Sequence, residues 1–294
     1  MAATDRKRQR VASDDTGPSK RSAKTPVGDD AANAAVVDAE LASINDLLQE
    51  EETSQKQTWQ IGKRVKKLLE THEHLATAKQ LDAYFLWGTA LARLASLNED
   101  PTLADAAADK FQQMLQLSED GEEDADAALG PVGFSLWGST LLIVATETQS
   151  RAVLDESLAK FQRAVEVDGG TTFETRFQFA KALKEGGDLV AFLEEDERAK
   201  KQYYNRALEV CKELEEIYKA ESQKQETGEN ETEESEEDDD RVTAEDFAEA
   251  KLLEAVLQGL LEDSSSVDEF HRTLALYQEA IGEYFNAVNV VFEG

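Results

Sequence analysis

Two short motifs recur together in this chain at one fixed separation, and that pairing restricts the fold more than any other feature. Leu86-Trp87-Gly88 and Leu136-Trp137-Gly138 lie 50 residues apart, as do Phe111-Gln112-Gln113-Met114-Leu115 and Phe161-Gln162-Arg163-Ala164-Val165. Related segments return at Tyr204-Asn205-Arg206-Ala207-Leu208 and Tyr277-Gln278-Glu279-Ala280-Ile281. In a helix the aromatic and the residue three places on share a face, so each copy presents the same knob. The predicted unit is a helix pair in which helix A carries Trp-Gly and helix B carries the knob. One pair cannot bury its apolar stripe, so several must stack. The expected fold is all-α: a right-handed helical repeat, an α-solenoid of four to five pairs. Trp87, Phe111, Trp137, Phe161, Tyr204 and Tyr277 are its expected core.

The knobs are spaced by 50, 43 and 73 residues. The last step spans Glu221 to Asp240, a stretch with eleven acidic residues and almost no apolar ones. Such a segment cannot offset its own ordering entropy. Removing its length and flanks restores the common period, so it reads as a disordered acidic insertion (221–240) between the main array (34–220) and a final pair of the same array (241–294). Residues 1–30 read as a disordered tail. They hold the chain's basic concentration, Arg6, Lys7, Arg8 and Arg10, then Lys20, Arg21 and Lys24. Two basic clusters on an extended peptide suit the acidic grooves of a nuclear import receptor.

The expected helices run from Ala34 to Glu51, from Gln57 with Trp59, Ile61, Val65, Leu68 and Leu69 on one face, and over 78–97, 103–117, 132–145 and 153–167. Ser118 to Asp124 reads as an acidic loop. Gly186-Gly187 reads as the stop of a helix that begins near Phe173, and the next begins at Leu189 or Arg198. The last pair covers 244–261 and 267–291. Lys63, Arg64, Lys66 and Lys67 form an island of positive charge, open to contact with an acidic partner but expected first to pair with the protein's own carboxylates.

The formal charge of −31 argues against broad binding of nucleic acid or an anionic membrane and favours basic partners. No apolar run approaches 18 residues and the N-terminus has no signal-peptide core, so a soluble intracellular protein is expected. Cys211 is the sole cysteine, which precludes an intramolecular disulfide and fits a reducing compartment.

Little in the sequence resembles a catalytic or metal site. His72 and His74 are two apart, so their side chains diverge on a helix instead of meeting at one ion. Cys211 sits among apolar residues and carboxylates, which disfavour a thiolate. Gly169-Gly170 and Gly186-Gly187 lack the spacing and lysine of a phosphate loop. No enzyme activity and no cofactor are expected. Ser235, followed by three acidic residues, is a candidate site for an acidophilic kinase.

Helix pairs whose second helix carries an aromatic with Ala three residues on resemble tetratricopeptide repeats. Phe161/Ala164, Tyr204/Ala207 and Tyr277/Ala280 match that pattern, whereas Phe111 is followed by Met114, the period exceeds 34, and Gly88 and Gly138 directly follow tryptophan. With the basic head and acidic insertion, the chain is similar to the fungal enhancer of translation termination family of nuclear, tetratricopeptide-like adaptors. That resemblance implies a non-catalytic role in translation termination and in regulating hypoxic gene expression, with termination factors or a 2-oxoglutarate-dependent oxygenase as partners. It also implies residence in the nucleus with shuttling to the cytoplasm. A second resemblance is to tetratricopeptide histone chaperones, whose acidic tract would bind basic histones. A third, to co-chaperones that clamp a peptide carboxylate, needs cations on the A helices, where Arg93, Lys181 and Lys184 are the candidates.

Overall fold

The computed structural model describes residues 27–50, 53–72, 74–121, 124–194, 196–226, 242–262 and 271–282. The basic clusters at 6–10 and 20–24, residues 227–240 of the acidic segment with Ser235, and residues 267–270 and 283–291 of the expected last helix lie outside them. Among the described residues the chain is helical, with no strand. The helices are α1 (Val27–Gln49), α2 (Gln55–Thr71), α3 (Thr77–Asn98), α4 (Pro101–Asp120), α5 (Ala125–Thr148), α6 (Arg151–Val167), α7 (Phe173–Glu194), α8 (Glu197–Glu226), α9 (Ala244–Leu261) and α10 (271–282).

Local chemistry sets most boundaries. Ser54 and Gln57 form a reciprocal cap at the start of α2, and Thr243 and Asp246 do the same for α9. Asp100 caps α4 with Pro101 in the first turn, where its missing N–H costs nothing. The turns joining α3 to α4 and α5 to α6 are the same turn 50 residues apart. Glu99 and Gln149 both adopt left-handed backbone (φ 50 and 51), and the next residue, Asp100 or Ser150, caps the following helix. Only the repeat as a whole explains two non-glycine residues placed alike in this sparsely populated region.

The packing follows the same offset. Buried residues Leu91, Ala95, Ala108, Phe111 and Met114 have buried counterparts 50 positions on in Leu141, Ala145, Leu158, Phe161 and Ala164. Each knob rests on a glycine of the partner helix. A Cβ added at Gly88 would lie 2.9 Å from the Phe111 ring, and at Gly138 it would lie 2.7 Å from Phe161. Hence the glycine after each tryptophan: any side chain there would occupy the ring's volume. In the third pair Gly187 plays this part, its Cβ position falling 2.5 Å from Tyr204. Gly186-Gly187 is therefore no stop; α7 runs through both to Glu194, and Leu189 belongs to it. The fourth knob differs. Tyr277 is half-buried, and a Cβ added at Gly259 would lie 3.3 Å from Thr273 Cγ2 instead of against an aromatic ring, although Ala280 is buried.

Other boundaries also move. The tail expected to be disordered through residue 30 is already helical from Val27. The acidic loop expected from Ser118 is helical through Asp120, because the Ser118 hydroxyl is buried and donates to the Leu115 carbonyl at 2.9 Å. Residues 221–226 extend α8 instead of opening a loop. In α5, Gly130 (φ 61) and Pro131 interrupt the helix, so a short first segment precedes the Trp137 helix. In α2, Trp59 is 47% exposed and lies off the buried face formed by Ile61, Val65 and Leu68. And α5 is long and apolar enough to span a membrane by length and composition, with mean hydropathy 1.6 in a window of 126–148, contrary to expectation. Its contacts with α3, α4, α6 and α7 supply the reason: α5 is the central helix of the stack.

Helices touch only neighbours one or two places along the chain. Among α1–α9, the backbones of successive odd helices approach one another closely, whereas those of the even helices do not. Two layers result, an odd one packed along its backbones and an even one joined through long side chains, as where Arg206 of α8 donates to Gln162 of α6 and Arg151 of α6 lies 5.4 Å from the Tyr203 ring centre of α8.

The glycine seats give a stability test. Gly138→Ala should lower stability by about 1–3 kcal/mol through overpacking against Phe161, despite the better helix propensity of alanine. Gly62→Ala, where the nearest atom is Trp87 Cδ1 at 3.8 Å, should instead gain roughly 0.5–1 kcal/mol. Thermal melts of the two variants decide between a seat and an incidental glycine.

Candidate protein-binding groove

The continuous odd layer bounds a groove of about 1160 Å³ on its exposed side. Its walls come from the C-terminal end of α1 (Leu48, Gln49) and from successive turns of α3, α5 and α7. Every third or fourth residue of each helix reaches it, as helical periodicity requires: Leu86, Thr89 and Arg93 on α3, and Val132, Ser135, Ser139 and Ile143 on α5. The floor mixes hydroxyls with apolar side chains. Val132 (64% exposed) and Leu97 (60%) stand open to water, an arrangement suited to a peptide or helix with apolar contacts and few charges.

The cations proposed for a carboxylate clamp are committed elsewhere. Arg93 Nη1 donates to the Leu48 carbonyl at 3.1 Å, tying α3 to α1. Lys181 lies 4.1 Å from the Phe177 ring centre, and Lys184 pairs with Asp188 at 2.8 Å. Glu99, Glu147, Glu174 and Glu185 line the same groove, leaving it acidic. Desolvation among these helices raises the Glu185 carboxyl above its ordinary range, even though its side chain still reaches water. Nothing here grips a carboxylate.

The expected core residues occupy the seams behind the groove. Trp137 is 1% exposed and stacks near Phe111, ring centres 6.4 Å apart, so it joins the first Trp-Gly pair to the second. Lys160 lies 3.7 Å from the Trp137 ring centre, and Lys110 is 4.6 Å from that of Trp87. This lysine-on-tryptophan contact is a third motif on the 50-residue offset, legible as the lysine preceding each phenylalanine. Burial lowers the Lys160 pKa, with Glu156 opposing. Trp87 is half-buried and stacks on Tyr84. Ser157 donates to the Gly138 carbonyl at 2.7 Å, a bond between α6 and α5 at the glycine seat. Tyr204 is buried and donates to Asp188; burial first, and that bond second, raise its phenol.

Cys211 is buried in the α7–α8 core. Burial, reinforced by Glu254, pushes its thiol up to about 12. Beside it, Lys251 pairs with Glu215 at 2.9 Å and Glu254 at 3.1 Å across the α8–α9 seam. Burial opposes the Lys251 charge, but hydrogen bonds from both carboxylates outweigh it and raise its pKa. Among the described residues no group of three or more His, Cys, Asp or Glu side chains is placed to hold a metal ion.

The thiol makes a measurable prediction. Cys211 should react with a disulfide reagent only when the chain unfolds. Between pH 9 and about 12 the unfolded chain loses this proton and the folded chain keeps it, so stability should fall as pH rises through that window. Rapid labelling of the folded protein at pH 8 would show that α8 is not packed as described. Comparison with protein-family models and with curated proteins finds no match to this chain.

Proposed function

We propose that this chain is a non-catalytic protein adaptor, a tetratricopeptide-like right-handed solenoid that presents the groove of its odd helices to a protein partner. The observation that carries the reading is the groove itself, walled by four helices, with exposed Leu97 and Val132 and with Arg93 held by the Leu48 carbonyl. The repeated glycine seats and left-handed turns support a common repeat unit. The basic clusters in residues 1–30 support import into the nucleus, and the family resemblance points to termination factors or a 2-oxoglutarate-dependent oxygenase as partners. The histone-chaperone reading rests on the eleven acidic residues of 221–240.

Two variants separate these readings. Leu97→Glu with Val132→Glu places charge in the groove at solvent-exposed positions, so the fold should persist. An adaptor should lose its co-purifying termination factor or oxygenase in that variant and keep it when 231–240 is deleted. A histone chaperone should do the reverse, losing core histones on the deletion in a salt-sensitive manner. Residues 1–30 fused to a diffusing fluorescent protein should concentrate in nuclei; an even distribution would remove the nuclear assignment.

A further inference from the structure

The exposed face of α2 is the one basic surface among the described helices that its own chain leaves largely unneutralised. Lys56, Trp59, Lys63, Lys66 and Lys67 follow helical spacing along one stripe, and all five are exposed. Lys66 meets Glu70 at 3.7 Å, the single ion pair in the stripe among the described residues. Arg64 turns away and pairs with Glu40 at 2.9 Å. Lys63 lies 5.4 Å from the Trp59 ring centre, leaving the ring's edge and other face open. Of the four cations of the expected island, Arg64 and Lys66 pair internally, and no ion pair among the described residues involves Lys63 or Lys67.

Trp59 also forms one wall of a shallow cavity of about 660 Å³, with Leu94, Pro101 and Leu103 supplying apolar surface and Glu99 and Asp100 at the rim. From Lys56 to Lys67 the stripe covers about 17 Å, the span of roughly five extended residues. We infer that this face docks an acidic peptide segment of a partner protein, whose carboxylates lie along the lysines while an adjoining apolar side chain enters the cavity beside Trp59. The chain's large negative charge does not forbid this, because fields from carboxylates beyond about 8 Å are screened at physiological salt. Glu99 and Asp100 favour a peptide over nucleic acid: a phosphate backbone would carry its charge past both, whereas a peptide presents an uncharged stretch there.

The test uses the full chain and fluorescence anisotropy. The probe is a labelled peptide with a leucine–phenylalanine pair followed by a run of glutamates. Comparison probes are the same pair followed by glutamines, the glutamate run alone, and a short oligothymidylate. The glutamate peptide with its apolar pair should bind saturably, weaken with added salt and outcompete the other three. Lys63→Glu with Lys67→Glu should weaken it by at least about tenfold. Trp59→Ala should erase the advantage conferred by the apolar pair, and Lys201→Glu, on the exposed surface of α8, should change nothing. Circular dichroism melts confirm that each variant folds. Binding that survives the double reversal, equal binding of the glutamine peptide, no binding at all, or tighter binding of oligothymidylate would each overturn the inference.

Discussion

An aromatic ring set directly on glycine is the contact from which the rest of this structure follows. Phe111 on Gly88, Phe161 on Gly138 and Tyr204 on Gly187 bring paired helices closer than side chains would allow. The ring fills the gap and removes a large apolar surface from water, worth roughly 1.5–3 kcal/mol per residue. Close approach also lets Ser157 reach the backbone carbonyl of Gly138. Trp137 then inserts between one seat and the next, stacking near Phe111 while Lys160 covers its other side. The first two pairs are thereby chained: the Phe111 ring serves its own pair and, through Trp137, the following one.

The groove is a by-product of that chaining. Packing the even helices against the backs of the odd ones leaves the opposite stripe of α3, α5 and α7 lining the groove among the described residues. On α5 the stripe carries Ser135 and Ser139, and the Ser139 hydroxyl donates to the Ser135 carbonyl at 3.0 Å. This explains how a helix as apolar as α5 belongs in a stack: its tryptophan side is core, and its serine side faces the groove. Of the two cations that line the groove, Arg93 ties α3 to α1 and Lys181 lies over Phe177 of its own helix, while four glutamates leave the groove acidic.

How much of this was legible depends on whether a local signal existed. The paired motifs disclosed the helix pairs because a seat and its ring must co-occur, and Pro101 and Gly169-Gly170 marked turns through backbone chemistry alone. Gly186-Gly187 misled for the same reason. Glycine stops helices when it is free to turn, but here Tyr204 and Tyr203 pack against it and the helix continues, a tertiary demand invisible along the chain. Trp59 misled because an apolar residue close to Ile61 was assigned to the same face; its position falls instead on the lysine stripe, where it stays exposed. The serines and threonines of the groove gave no sequence signal, since their role arises only when three helices align.

The different ways in which the two layers are joined have a mechanical corollary. Arg206 to Gln162 and Tyr203 to Asp155 tie α6 to α8 through exposed side chains, whereas the odd helices meet along their backbones. Bending that fans the outer layer apart strips a few bonds that water can replace, and bending in the opposite sense compresses packed helix against packed helix. The two directions therefore differ in stiffness, as they do in a leaf spring.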